Sequence, residues 1–165
     1  MNSLLFCAAL LGIAALGLIP FDAKAESYVA QLSCTSGPYR MRLPKSYKAL
    51  RTLGQLRRER IVRTEEQGTH TLTHRELRFN GLELVVVTSS NNPNQYLLSK
   101  AILSSPAWKI GGQLKVGTPA KSALRGLQKE LPKEGELEFR GDTDSIRVTL
   151  AAGRVLDVEY SCHTG

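Results

Sequence analysis

The chain has 165 residues, and its 22 Lys and Arg against 15 Asp and Glu give a formal net charge of +7. This length suits one domain with a real core, and the basic residues are spread out without interleaved aromatic residues, which disfavours a single-strand nucleic-acid platform. A basic exported protein can instead bind anionic lipid, an acidic cell-wall polymer or an acidic protein, or its basic surface can simply be solvated.

The N-terminal segment predicts export. Leu4 to Ile19 is an uncharged apolar run, Pro20 interrupts it, and Ala23-Lys24-Ala25 has the small-x-small form of a signal-peptidase site. The run is shorter than the roughly 20 residues that a membrane-spanning helix needs. We therefore expect residues 1–25 to be a cleaved signal peptide and residues 26–165 to be a single periplasmic or secreted domain, not an integral membrane protein.

Two of the three cysteines, Cys34 and Cys162, remain after this cleavage. In an oxidising compartment, two thiols without evident metal partners are read first as a disulfide. A Cys34–Cys162 bond would close a long loop, worth up to about 4–5 kcal/mol in the chain-entropy model. It would also require the first and last strands to lie side by side.

The first half of the domain predicts two short strands, a helix and a meander. The helix is expected from Ser46 to Gln55, because Tyr47, Leu50, Leu53 and Leu56 recur at helical spacing. Asn80-Gly81 is a strong turn dipeptide, and the run that follows it is apolar and β-branched enough for a central strand. The predicted strands of this half are Tyr28–Ser33, Tyr39–Leu43, Arg60–Glu65, Thr69–Arg75, Leu77–Phe79, Leu82–Ser89 and Tyr96–Leu103.

The second half predicts one helix and three strands. The segment Leu114–Leu131 carries the helix, with Thr118 as N-cap and Pro119 at the first helical position. The predicted strands are Glu136–Phe139, Ser145–Leu150 and Arg154–Ser161. This order predicts an α+β fold in which two helices pack on one face of an antiparallel meander. Ala49 to Leu53 matches Ala123 to Leu127 at a shift of 74 residues, so a tandem helix-plus-strands repeat is one interpretation.

The segment Val116-Gly117-Thr118-Pro119-Ala120-Lys121-Ser122-Ala123-Leu124 resembles the opening of small exported binding domains. These domains are of the β-lactamase-inhibitor-protein type and the type of the small lipoprotein of the outer-membrane barrel-assembly machinery. The resemblance extends over Val116–Tyr160, although the chain has no lipoprotein cysteine at the expected position. It implies a binding domain of the cell envelope, with helices on one face of an antiparallel sheet and no catalytic residues to transfer.

The densest charge feature is a group of arginines, which predicts a binding surface for an acidic partner. The planar guanidinium suits bidentate contacts to carboxylate or phosphate better than the ammonium of lysine does. A solvated helix end is the alternative interpretation. The residues of this predicted partner-binding group are Arg51, Arg57, Arg58, Arg60 and Arg63, to which we add Trp108, the single tryptophan. Trp108 is either an exposed anchor or a core residue where the last strand meets the second helix.

No catalytic or metal-binding constellation is evident. His70 and His74 would lie about 13 Å apart on one strand, too far for a common ion. No serine lies in a Gly-x-Ser-x-Gly elbow, and the Gly111-Gly112 pair lacks the Gly-Lys-Ser/Thr of a phosphate loop. We therefore predict a non-enzymatic protein without cofactor that contacts or inhibits an acidic envelope protein. The alternative is an envelope-assembly factor that contacts anionic lipid or cell-wall polymer; hydrolysis of cell-wall material is a third possibility.

Overall fold

Alternating apolar and polar residues form a seven-stranded antiparallel sheet in the computed structural model, which describes residues 43–110, 114–125 and 130–162. A separate two-stranded hairpin and two one-turn helices accompany it. The helices are α1 (Tyr47–Leu50) and α2 (Ala120–Ala123). The strands are β1 (Arg58–Gln67), β2 (His70–Phe79), β3 (Leu82–Ser89), β4 (Asn92–Leu103), β5 (Lys109–Ile110), β6 (Leu114–Lys115), β7 (Gly135–Arg140), β8 (Asp144–Ala151) and β9 (Arg154–Cys162).

Two meanders make up the large sheet, whose strand order is β1-β2-β3-β4-β9-β8-β7. They join through β4 and β9, where Lys100 lies opposite Ser161 and Leu103 lies opposite Val158. Because β4 and β9 are antiparallel, the β2–β3 turn at Gly81 and the β8–β9 turn at Gly153 lie at the same end of the sheet. We call this the Gly81 end.

One face of the sheet carries the core. Leu77, Leu84, Ala101, Tyr160 and Ile146 lie opposite one another in turn and form a continuous row across five strands. All five are fully buried. Burial of apolar surface on this scale, at about 25 cal/mol per Å², is the main favourable contribution to the fold.

The segments that cover this face contribute five buried residues to the same cluster, Leu50, Ile110, Leu114, Ala120 and Leu124. Leu50 ends α1, and Leu124 is the C-cap of α2. These two leucines are the positions related by the shift of 74 residues. Their equivalent burial agrees with the tandem interpretation, but gene duplication itself stays a prediction.

The predicted helix from Ser46 to Gln55 is wrong in its length, since α1 is a single turn. Ser46 does cap it, by accepting a hydrogen bond from the Ala49 N–H at 3.2 Å. After Leu50 the backbone tightens, and the Leu53 N–H donates to the Leu50 carbonyl at 3.1 Å. The Arg57 N–H then donates to the Arg78 carbonyl at 2.7 Å, so pairing with β2 takes over from the helix.

The second helix also begins later and is shorter than predicted. Thr118 does not cap it: the N-cap is Pro119, and no side chain accepts a capping bond there. The Thr118 carbonyl instead accepts a hydrogen bond from the Val155 N–H at 3.0 Å, and Pro119 forms a β-bridge with Arg154. This pairing with β9 keeps Pro119 out of the helix, which begins at Ala120. Leu114 and Lys115, predicted to lie in the helical segment, form β6.

The predicted strands of the large sheet are confirmed with shifted ends, except that Thr69–Arg75 and Leu77–Phe79 form one continuous strand, β2. β4 begins at Asn92, four residues earlier than predicted, and β5 was not predicted. The Asn80-Gly81 turn is confirmed as well: Gly81 has φ +71°, and a Cβ there would lie 2.0 Å from the Ser105 Cβ. The predicted strands Tyr28–Ser33 and Tyr39–Leu43 and the predicted signal peptide fall outside the described residues, apart from Leu43. The fold is thus mostly antiparallel sheet with short helices, which the α+β prediction describes only loosely.

Candidate functional site

The face of the sheet opposite the core carries most of the charged strand residues, and we call it the outer face. Side chains alternate along a strand, so that Glu76 and Arg78 point away from the face that holds Leu77 and Phe79. The register then assigns neighbouring strands to the same face. Outer-face residues of β1 to β4 include Arg58, Arg60, Arg63, Glu65, His74, Glu76, Arg78, Glu83, Val85, Val87, Leu97, Lys100 and Ile102.

The centre of the outer face is a chain of ion pairs across three strands, which we call the Glu76 lattice (Arg60, Glu76, Arg78 and Glu83). Glu76 Oε2 lies 2.5 Å from Arg60 Nη2, and Glu76 Oε1 lies 2.8 Å from Arg78 Nε. Arg78 Nε also lies 2.9 Å from Glu83 Oε2. Glu76 is only 4% exposed, whereas the side chains of both arginines are 45% exposed. A buried carboxylate thus holds two guanidinium groups at the surface.

The lattice keeps Glu76 ionised. The hydrogen bond from Arg60 lowers the pKa of Glu76 below its ordinary value, with further lowering by the charges of Arg60 and Arg78. Burial alone would raise this pKa, because it disfavours the charged form, but it does not prevail. The same hydrogen bond raises the pKa of Arg60. At neutral pH the Arg60–Glu76 pair is therefore charged.

Smaller groups of ion pairs flank the lattice on the outer face. Glu65 Oε1 lies 3.0 Å from Arg63 Nε and 2.9 Å from His74 Nε2. On the other side, Lys100 Nζ lies 2.9 Å from Glu159 Oε1. The outer face is therefore of mixed charge and does not form a uniformly positive surface.

A different cluster forms on the core side around Glu59. Its carboxylate accepts a hydrogen bond from the Tyr47 hydroxyl at 2.5 Å and forms ion pairs with Arg51 at 2.8 Å and Arg75 at 3.5 Å. The Arg75 guanidinium lies 5.7 Å from the centre of the Tyr47 ring. Burial, reinforced by the hydrogen bond to Glu59, raises the pKa of Tyr47 to about 12. This cluster attaches α1 to the edge of the sheet.

The predicted arginine group is divided between these two sides. Arg51 belongs to the Glu59 cluster, while Arg60 and Arg63 are paired with glutamates on the outer face. Arg57 and Arg58 are exposed, and neither forms an ion pair with any described residue. Arg58 lies directly opposite Arg78. The guanidinium groups available to a partner's carboxylates are thus chiefly those of Arg57 and Arg58.

Trp108 is half-buried, and its side chain contacts other parts of the fold. Its Nε1–H donates to the Asn80 carbonyl at 2.9 Å, and its ring packs against the core cluster. A Cβ added to Gly54 would lie 3.9 Å from the ring. The ring therefore lies between the end of the α1 segment and the β2–β3 turn, not between the last strand and the second helix.

A shallow apolar depression of about 240 Å³ lies toward the other end of the outer face. Leu72, Val87 and Leu97 supply its apolar lining, and Ser89 and Gln95 contribute polar atoms. Leu97 is 57% exposed, which is high for a leucine in a strand. Scattered exposed leucines need no explanation, but one that borders an apolar depression beside a charged lattice fits a binding surface.

Cys162 lies at the end of β9, opposite Asp144, and is buried within the core cluster. Cys34 lies outside the described residues, so that the Cys34–Cys162 disulfide stays a prediction. Next to this end of β9, the Tyr160 hydroxyl donates to Asp144 Oδ2 at 2.7 Å in the buried interior. Burial and this hydrogen bond raise the pKa of Tyr160.

Within the described parts of the chain, no three His, Cys, Asp or Glu side chains come together as a metal site. His70 lies opposite Gln67 at the β1–β2 turn, and His74 contacts Glu65. No helix in these same parts is long and apolar enough to cross a membrane.

Sequence reasoning missed the Glu76 lattice. Arg58-Glu59-Arg60 and Glu76-Leu77-Arg78 do show the signal that could have revealed it, since charges two residues apart share one face of a strand. Their partners, however, follow from the register. A bulge between Ile61 and Arg63 shifts this register, so that Arg60 and Arg63 both lie on the outer face.

Comparison of the chain with protein-family models, with curated proteins and with solved structures finds no match. The resemblance of Val116–Tyr160 to exported binding domains therefore stays a prediction.

Proposed function

We propose that this chain is a non-catalytic binding protein of the cell envelope that contacts an acidic protein through the outer face of its sheet. The observation that carries the proposal is the combination of the Glu76 lattice with the apolar depression beside Leu97. The contact inhibits or otherwise regulates the partner.

The lattice is suited to recognition because it is organised before the partner arrives. An arginine ordinarily loses side-chain entropy when it is fixed at an interface, at a cost of about 0.5–1.5 kcal/mol. Glu76 already holds Arg60 and Arg78, which spares much of that cost. Each guanidinium has five N–H donors, so donors remain for a partner's carboxylates.

Arg58 gives the outer face its preference for an acidic partner. Arg58 and Arg78 are like charges on directly opposite residues, which is unfavourable unless an anion lies between or beside them. Arg78 has Glu76 and Glu83, but Arg58 forms no ion pair with a described residue. A partner carboxylate beside Arg58 would relieve this repulsion.

The depression supplies the apolar part of the contact. Interface energy is usually concentrated in a few apolar or aromatic anchors surrounded by polar contacts. A single apolar side chain of the partner fits a depression of about 240 Å³ lined by Leu72, Val87 and Leu97. The charged lattice then forms the polar surroundings and sets the orientation.

The experiment compares capture from an envelope extract by the wild-type protein and by two charge-reversal pairs. The test pair is R57E/R58E, which spares Arg60 and so leaves the buried Glu76 partnered. The matched control is K45E/K48E, two exposed lysines at α1 with the same change in charge. A third variant, L97D, changes the exposed edge of the depression.

We expect R57E/R58E and L97D each to reduce capture of the partner at least tenfold, while K45E/K48E changes it less than twofold. Capture by the wild type should also weaken at high salt, because exposed charges are screened. A partner retained equally by the wild type, R57E/R58E and L97D would remove the outer face as its binding site.

The proposal also includes three predicted features of the domain that concern its processing and its architecture. Cleavage after Ala25 and a Cys34–Cys162 disulfide belong to it, as does the finer description of two helices on one face in tandem halves. The shared burial of Leu50 and Leu124 supports the tandem description. N-terminal sequencing of the exported protein and thiol titration before and after reduction test the first two.

A further inference from the structure

The Gly81 end of the sheet carries a second charged surface, which differs from the outer face in composition. Lys109 and Lys115 are directly opposite residues of the β5–β6 hairpin, and both are exposed. Trp108, whose indole is bonded to the Asn80 carbonyl, fixes the start of this hairpin at the β2–β3 turn. Side chains of opposite residues lie about 5 Å apart at their Cβ atoms.

Further cations are tied to the same end by hydrogen bonds. Arg154 follows the β8–β9 turn and donates from Nη1 to the Gly117 carbonyl at 2.8 Å. Lys121 lies in α2, whose first residue donates its N–H to the Gly153 carbonyl at 2.9 Å. The Gly153 N–H in turn donates to the Lys133 carbonyl at 2.7 Å. All of these cationic residues are exposed, and we call them the lysine surface: Lys109, Lys115, Lys121, Lys133 and Arg154.

The lysine surface has little internal compensation. No Asp or Glu occurs in the sequence between Glu83 and Glu130, the stretch that holds Lys109, Lys115 and Lys121, whereas Lys133 lies between Glu130 and Glu134. Among the described residues, none of the five cations forms an ion pair with a carboxylate, in contrast to the paired arginines of the outer face. Two lysines held opposite each other repel, and this repulsion falls when an anion approaches both.

We propose that the lysine surface binds the anionic headgroups of a phospholipid bilayer. Lysine is a strongly hydrated point charge on a flexible stem and suits diffuse attraction to a charged plane. Stereospecific contact to a protein carboxylate favours the planar fork of arginine instead, which is the residue that predominates on the outer face. The two surfaces thus have different ligands, and the protein is held at a membrane while its outer face stays available.

The test is flotation of the exported protein with vesicles of phosphatidylcholine, with and without phosphatidylglycerol. A lysine near an anionic membrane is worth about a fivefold change in partitioning. K109Q/K115Q should therefore reduce binding to the anionic vesicles about 25-fold. The matched control is K45Q/K48Q, which loses the same charge at the opposite end of the sheet, where the Lys48 N–H donates to Asn94.

Binding that needs phosphatidylglycerol, weakens with salt and falls in K109Q/K115Q but not in K45Q/K48Q supports the proposal. Equal flotation of the two variants would show that only net charge acts, and would overturn it. Binding to soluble polyglutamate with no flotation would overturn it in favour of an acidic macromolecule. Because this assay contains no protein partner and leaves Arg57 and Arg58 unchanged, its failure is distinguishable from failure of the proposed function.

Discussion

Replacement of Glu76 by Gln tests whether the lattice stabilises the fold. The substitution keeps the shape of the side chain and removes a charge that is 4% exposed. Arg60 donates a hydrogen bond to Glu76, and a hydrogen bond to a charged group is worth about 1.5–3 kcal/mol. The ion pair between Arg78 and Oε1 lacks hydrogen-bond geometry and adds less. Both arginine side chains are 45% exposed and can be rehydrated, so each contact must be discounted for screening by solvent. We expect E76Q to lower the free energy of unfolding by about 2 kcal/mol at pH 7.

The assay is urea unfolding followed by the fluorescence of Trp108, the single tryptophan of the chain. Its indole is bonded to Asn80 and packed against the core, so unfolding should change its emission. The m-value should stay constant, because the surface exposed on unfolding does not change. The matched control is E136Q, whose carboxylate is 64% exposed and 3.9 Å from Arg147. It should change stability by less than about 0.5 kcal/mol.

The pH dependence provides a second, independent check. The pKa of Glu76 is lower in the folded protein than in the unfolded chain, where a glutamate titrates near pH ~4.3. Its contribution to stability is therefore complete above the unfolded pKa and is lost as the pH falls through the folded pKa. The difference between wild type and E76Q should shrink on acidification below about pH 5. A variant within about 0.5 kcal/mol of wild type at pH 7, or a difference unchanged down to about pH 3, would refute the reasoning.

Two further predictions concern the covering layer and the turns, and urea unfolding checks both. L50A should cost about 2–5 kcal/mol, because it empties a fully buried position in the core. L156A, at a residue 54% exposed, should cost less than about 0.5 kcal/mol, and equal losses would contradict this. Gly81 and Gly68 both have positive φ, but only at Gly81 would a Cβ collide with Ser105, at 2.0 Å. G68A should therefore cost about 1 kcal/mol for backbone strain alone and G81A at least about 2 kcal/mol more, and similar values for the two would contradict the close approach.

The sequence by itself determined the strands of the large sheet, although not those of the β5–β6 hairpin. The apolar, β-branched run in Leu82–Ser89 and the period of two in Ser145–Leu150, together with Asn80-Gly81, predict paired strands from local information alone. The burial of Leu50 likewise follows from apolar spacing. The same spacing did not predict the length of α1, because a run of leucines spaced by three also suits a turn that packs on a sheet.

Contacts between residues far apart in the sequence decided where α2 begins and where α1 ends. The start of α2 depends on the hydrogen bond that the Val155 N–H donates to the Thr118 carbonyl, and the end of α1 depends on the one that the Arg57 N–H donates to the Arg78 carbonyl. Neither partner lies in the local window from which helix ends are predicted.

The candidate sites likewise depend partly on the sequence and partly on tertiary contacts. The sequence shows which residues are charged, but only the register, with its bulge between Ile61 and Arg63, pairs Arg60 with Glu76 on the outer face. A one-residue change of register moves a side chain to the opposite face of the sheet. Local sequence patterns predict the strands and turns, because these depend on residues that are neighbours in the sequence. The pairing of charges was decided by the tertiary structure, since it depends on which strands meet and in which register.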